Sequence, residues 1–126
     1  MYNSEQLESN GYVQASIEDF KSGVGWFRKQ LPNIGKQYMA FTSACFTAGT
    51  IPEPIKHLIA LGLAMQIQDE YCIMYHADAA LKTGATPDQL VETIAVCAAF
   101  GGGAALSQGA TLIQEVLREH ESRKIQ

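Results

Sequence analysis

Nowhere in this 126-residue chain does a basic cluster exceed the pairs Arg28-Lys29 and Arg123-Lys124. Nine Lys plus Arg stand against thirteen Asp plus Glu, a net charge of −4 at pH 7. The phosphate attraction of a nucleic-acid binder is therefore missing, and no nucleic-acid partner is expected. Long apolar runs are missing too. The two most apolar stretches, "HLIALGLAM" (57–65) and "TIAVCAAFGGGAAL" (93–106), are broken by Gly or polar residues well short of bilayer length, so no membrane partner is expected. The start, "MYNSEQLESNGYVQAS", has neither a basic opening nor an apolar core, so no secretory signal is expected and the chain reads as cytoplasmic. Cysteine is scarce: Cys45, Cys72 and Cys97 are odd in number with no close pair, which argues for free thiols in a reducing compartment rather than a disulfide framework. Strand signals are absent as well, with no sustained apolar–polar alternation and no Asn-Gly or Asp-Gly hairpin turn, which leaves an all-α fold.

What is present suits one core. Hydrophobic residues make up 47% of the chain and charged residues 17%, and the length fits a single domain over residues 1–126, with 1–15 expected as an extended N-terminal arm. Ile17, Phe20, Val24, Phe27 and Leu31 recur at helical spacing, predicting a first helix that Ser16 caps with Asp19 three residues on. Pro32 closes it. A second helix carries Ile34, Tyr38, Phe41 and Cys45 on one side and stops at Gly49. The prolines of "IPEP" (51–54) suit the start of a third, over 55–68. Asp69 caps a fourth helix that Gly84 ends, and Thr86 caps a fifth with Pro87 in its first turn. "GGG" at 101–103 separates this from a sixth over 105–122. The abundance of Ala and Gly in these helices lets them approach closely while burying little area apiece, which leaves surface for self-association.

The chemistry concentrates in "DEYCIMYH" (69–76). Asp69, Cys72 and His76 stand at i, i+3 and i+7 and share one stripe of the fourth helix. Cys72 falls in the first turn, where free backbone N–H groups favour an anion, with an imidazole one turn later; both effects are expected to lower its pKa and make it nucleophilic. In the bland reading Asp69 only caps the helix, Cys72 is an inert buried thiol and His76 bonds a carbonyl. His57 lies on the face carrying Leu61, Ala64, Met65 and Gln68 and needs a partner if buried. His120 is expected in solvent, and Cys45 and Cys97, each among apolar residues, in the core.

From Ile55 through "GGGAAL" the sequence, and above all "KHLIALGLAMQIQDEYCIMYHADAALKTGATPDQLVETIAV", resembles the carboxymuconolactone decarboxylase family, which includes the alkyl hydroperoxidase D proteins. The resemblance implies an all-helical subunit that assembles as a homotrimer or homohexamer, with its active site between helices near a subunit boundary. In the hydroperoxidase branch a Glu precedes a Cys-x-x-Cys and a His. Here Cys72 and His76 match the second cysteine and the histidine, Asp69 takes the first cysteine's place, and His57 falls where the proton-relay glutamate would be. A disulfide cycle within the motif is thus excluded, leaving a one-cysteine cycle fed by an external thiol reductant. The decarboxylase branch needs no cysteine pair, and there His57, Asp69 and His76 would share proton transfer on a lactone. Lys56, Lys82 and Arg28 are the candidates for recognising an anionic substrate. The retained Cys-x-x-x-His spacing tips the expectation toward a thiol-dependent, peroxiredoxin-like peroxidase, with the acid–base lyase as the alternative. A third reading is a non-catalytic oligomer that binds a small ligand. His57, Asp69, Cys72 and His76 are acceptable zinc ligands, but the resemblance implies no metal, and no cofactor is expected.

Overall fold

The computed structural model describes the backbone of residues 4–125 and the side chains of residues 11–125. Within them every regular element is helical: α1 (Ser4–Gln30), α2 (Pro32–Phe46), α3 (Glu53–Ile67), α4 (Glu70–Thr83), α5 (Pro87–Gly101) and α6 (Gly103–Ile125). None is long and apolar enough to cross a membrane.

The boundaries set by local chemistry fall where the sequence puts them. Asp69 accepts the backbone N–H of Cys72 at 3.2 Å and starts α4. Thr86 and Gln89 form a reciprocal capping box at α5. Gly84 and Gly102, with φ of 121° and 81°, end α4 and α5 in conformations that side chains rarely adopt. Between α3 and α4, Gln68 takes the left-handed conformation (φ 58°), so that a two-residue link folds the helices into a hairpin.

The chain's start differs from expectation. Residues 4–10 are helical rather than an extended arm, the break comes at Gly11 (φ 80°), and Ser16 is a buried residue inside the helix rather than its cap. The cap comes from α6 instead: Glu119 Oε2 accepts the N–H of Val13 at 2.8 Å and Oε1 that of Gln14 at 3.2 Å. A Cβ on Gly11 would lie 2.7 Å from the Glu119 carboxyl carbon, so this position needs glycine twice over. At the far end of α2 the helix stops at Phe46, three residues before Gly49, because Thr47 is already extended (ψ 137°).

The core collects Leu61 and Met65 of α3, Ile73 and Met74 of α4, Leu90 of α5, and Ile113 and Val116 of α6. Buried Asp78 is paired with Lys82 Nζ at 2.9 Å and Arg123 Nη2 at 3.0 Å. This ties α4 to the end of α6 and leaves the carboxylate with partners, as a buried charge requires. Helix α2 joins this core only at its edge. Its apolar face, Ile34, Tyr38 and Phe41, is exposed, and so is Cys45, against the core position expected for it; Cys97 is buried.

Candidate active site

The α3–α4 hairpin sets two stripes of side chains against each other. Glu53 and His57 stand one turn apart on α3, Cys72 and His76 one turn apart on α4, with Asp69 at the junction. Across the hairpin, His57 Nδ1 and His76 Nδ1 meet at 3.0 Å. Two imidazoles at this distance share one hydrogen, one ring donating and the other accepting. The lone-histidine problem raised by His57 is therefore solved by His76.

An aromatic cover lies over the pair. Phe46, the last residue of α2, stacks on His57 (centroids 4.7 Å apart, 18° between planes) and on His76 (5.2 Å, 19°). Its place is fixed by Lys56, whose Nζ donates to the carbonyls of Cys45 at 2.8 Å and Thr47 at 2.7 Å, on either side of Phe46. Tyr75 closes the flank with an edge-to-face contact on His76 at 5.1 Å. This partly dry setting disfavours charge on either ring. Burial holds His57 below the usual histidine range, with Glu53 acting in the opposite direction. His76 is pushed down to about 4, by burial first and by His57 second, against a weaker pull from Asp69. Both rings are neutral at pH 7, the state in which an imidazole can take up a proton.

Cys72 behaves opposite to expectation. Its thiol is pushed up to about 11, first by burial and then by the hydrogen bond and charge of Asp69. Burial is the larger cause, and the cap adds to it. Asp69 Oδ1 already occupies the N–H of Cys72, so the anion slot of this helix start holds a carboxylate that repels a second anion. His76 is engaged by His57, and among the described residues no hydrogen bond joins it to the Cys72 sulfur.

The four residues singled out in the sequence thus form one neighbourhood with two contacts, His57–His76 and Asp69–Cys72. Among the described residues there is no cluster of three or more His, Cys, Asp or Glu arranged to hold a metal ion. The anion-binding candidates lie elsewhere or are occupied: Lys56 on two carbonyls, Lys82 on Asp78, and Arg28 beside a cavity of about 750 Å³ between α1 and α2. A smaller cavity, of about 410 Å³, includes Asp69, Gln68 and Gln108 in its wall; neither histidine lines either cavity. The sequence does not single out Glu53, Phe46 or Tyr75, and it offers Lys56 for anion recognition rather than for holding the end of α2. Glu53 and Tyr75 carry a local signal, one four residues before His57 and the other next to His76; Phe46 reaches the site only through the packing of α2.

Residues 32–115 match the model of the carboxymuconolactone decarboxylase family. Over 91 residues the chain is 40% identical to the uncharacterized protein H16_B0147 of Cupriavidus necator, covering 72% of this chain and 80% of that one. It is 34% identical over 90 residues to uncharacterized protein 4 in the cox locus of Paracoccus denitrificans, covering 71% and 81%. Among solved structures it resembles apo-lpg0406, described as a carboxymuconolactone decarboxylase family protein from Legionella pneumophila. The TM-score is 0.78 and the identity 26%, over 85% of this chain and 96% of that one.

Proposed function

The chain belongs to the carboxymuconolactone decarboxylase family, and from that premise we propose that it is an acid–base enzyme whose His57–His76 pair moves a proton on a small carbonyl substrate of the lactone type. The observation that carries this reading is the 3.0 Å contact between the two Nδ1 atoms under the ring of Phe46. A neutral pair can take a proton at one outer nitrogen and pass positive charge across the shared hydrogen, so that neither ring bears it alone. Asp69 supports an imidazolium once formed, since its charge acts on His76 in that direction. The aromatic cover keeps bulk water from competing for the proton.

The thiol-dependent peroxidase that the Cys-x-x-x-His spacing suggests needs Cys72 as a thiolate. With the thiol pushed up to about 11, roughly one molecule in ten thousand carries that form at pH 7. The half-buried free sulfur one turn from His76 is what supports this second reading, in which an external thiol would complete the cycle.

One panel separates them. Wild type, His76→Asn, His57→Asn and Cys72→Ser are assayed on neutral and carboxylated lactones, and on organic hydroperoxides with a dithiol reductant. The acid–base reading expects lactone turnover that falls roughly 10²- to 10⁴-fold in His76→Asn and persists in Cys72→Ser. Hydroperoxide turnover abolished by Cys72→Ser, with no lactone turned over, would overturn it. We also propose a homotrimer or homohexamer as the working form, supported by the apolar side chains left exposed on α2, α3 and α5.

A further inference from the structure

The histidine pair can hold its shared hydrogen in two orders, and they are not equivalent. In one, His57 donates from Nδ1, its Nε2 is bare, and His76 accepts at Nδ1 and carries its one ring hydrogen on Nε2. In the other, His76 donates from Nδ1, His57 carries hydrogen on Nε2, and the bare nitrogen is His76 Nε2. Only the second leaves a base on the α4 side, beside Cys72 and Asp69.

Glu53 breaks the tie. Its Oε1 lies 3.8 Å from His57 Nε2, too far for a hydrogen bond but close for an anion facing a ring nitrogen. A bare Nε2 would turn its lone pair on the carboxylate; a protonated one turns a positive N–H edge toward it. The i, i+4 spacing on α3 holds the two together, and burial of His57 limits screening at the ring. The other groups bearing on the pair are Asp69, which holds the Cys72 N–H, and Cys72 itself, a neutral thiol. Among the described residues neither makes a hydrogen bond to an imidazole nitrogen.

We propose that Glu53 is a positioning residue that fixes the order Glu53–(H)Nε2-His57-Nδ1–(H)Nδ1-His76, making His76 Nε2 the base of the site. The assignment rests on the acid–base reading for its functional meaning, but its test does not depend on turnover. When His76 Nε2 takes a proton from substrate, the shared hydrogen can shift from His76 Nδ1 to His57 Nδ1, placing the positive charge on His57 next to Glu53. On return of the proton the shift reverses, so charge and hydrogen count balance without any outside reactant.

Long-range ¹H–¹⁵N correlation spectra of the uniformly ¹⁵N-labelled protein at pH 7.5 read the tautomer of each ring directly. His120→Gln removes the only other histidine, and correlations from each ring through its Cβ to the assigned backbone, in a ¹³C/¹⁵N-labelled sample, tell His57 from His76. The expected result is one Nδ1-protonated ring, His76, and one Nε2-protonated ring, His57. In Glu53→Gln, whose amide can donate as well as accept, this single pattern should be lost to a mixture or reversed; Glu53→Asp should restore it in part. The proposal is overturned if wild type shows His76 protonated on Nε2, whatever the variants do, or if Glu53→Gln leaves the pattern unchanged. A correct pattern in a protein inactive on every lactone would instead count against the acid–base reading alone.

Discussion

At the residue scale the side chain to weigh is Asp69, which adds to the burial of Cys72 and turns it away from what its neighbours promise. A cysteine in a first helical turn, with a histidine one turn on, reads as an activated thiol. That reading counts the helix start as a free anion site, whereas Asp69 Oδ1 already holds the Cys72 N–H at 3.2 Å. The cap itself is legible in the sequence; the burial that combines with it against the thiolate is not. With the thiol pushed up to about 11, iodoacetamide labelling of Cys72 should be slower than that of exposed Cys45 at pH 7.5 and should climb steeply only above pH 9. Peptide mass spectrometry after timed quenching measures this, and fast labelling of Cys72 at pH 6.5 would restore the thiolate reading. Asp69→Asn should accelerate labelling by removing the repelling charge. His76 makes a second prediction. Its folded-state value of about 4 lies below the ordinary 6.5, so the unfolded chain binds more protons between those limits. Stability is then full above pH 6.5 and declines as pH falls toward 4, by on the order of 2 kcal/mol for this residue. Burial of His57 acts in the same direction. Urea midpoints between pH 7 and 4.5 should fall accordingly, with a flatter profile in His76→Phe.

At the scale of the elements, legibility followed the range of the interaction that sets each boundary. Helices α4 and α5 begin with caps whose donor and acceptor lie within three residues of each other, Asp69 with Cys72 and Thr86 with Gln89, so a short window of sequence contains the whole cause. Helix α1 does not. Its restart after Gly11 is capped by Glu119, more than a hundred residues away, and no local pattern announces that. The expected cap at Ser16 failed for the same reason: the apolar face from Ile17 is continued by Val13 and Ala15, both buried in the core. Glu119→Ala should strand the N–H groups of Val13 and Gln14 and cost about 1–2 kcal/mol in urea unfolding. Gly11→Ala should cost at least as much, because it combines a positive φ with a 2.7 Å approach to the Glu119 carboxyl carbon. Likewise the His57–His76 contact depends on the hairpin register, which Gln68 sets by adopting a left-handed conformation that a sequence of ordinary helix formers does not signal.

At the scale of the molecule, the question is what covers the apolar surface that one chain leaves open. Helix α3 buries His57, Leu61, Ala64 and Met65 on its inner side, yet its outer side carries Ile59, Leu63 and Ile67, with Leu63 64% exposed. A helix apolar on both sides belongs inside an assembly rather than at a surface. The same holds for Val96 and Phe100 of α5, the latter 89% exposed, and for Phe41 of α2 at 68%. Together they exceed the scattered apolar residues normal on a monomer. One of these is the side of α2 that carries Ile34, Tyr38, Phe41 and Cys45: its helical spacing is legible in the sequence, but among the described residues it stays mostly exposed rather than packed in the core. For the proposed homotrimer or homohexamer, light scattering after size exclusion should give three or six times the 13.7 kDa of one chain. Leu63→Glu and Phe100→Glu should each weaken association about ten- to a hundredfold, the equivalent of forfeiting one well-buried side chain per contact. Because both positions are exposed in the isolated subunit, the variants should keep its helical circular dichroism while losing mass. A wild-type protein of single-chain mass at micromolar concentration would mean that these faces serve something other than a second copy. If the variants dissociate, the histidine tautomers of the separated subunits show next whether the site is whole in one chain: the pair, Phe46, Lys56 and Glu53 all come from a single subunit, so the ¹⁵N pattern should survive dissociation.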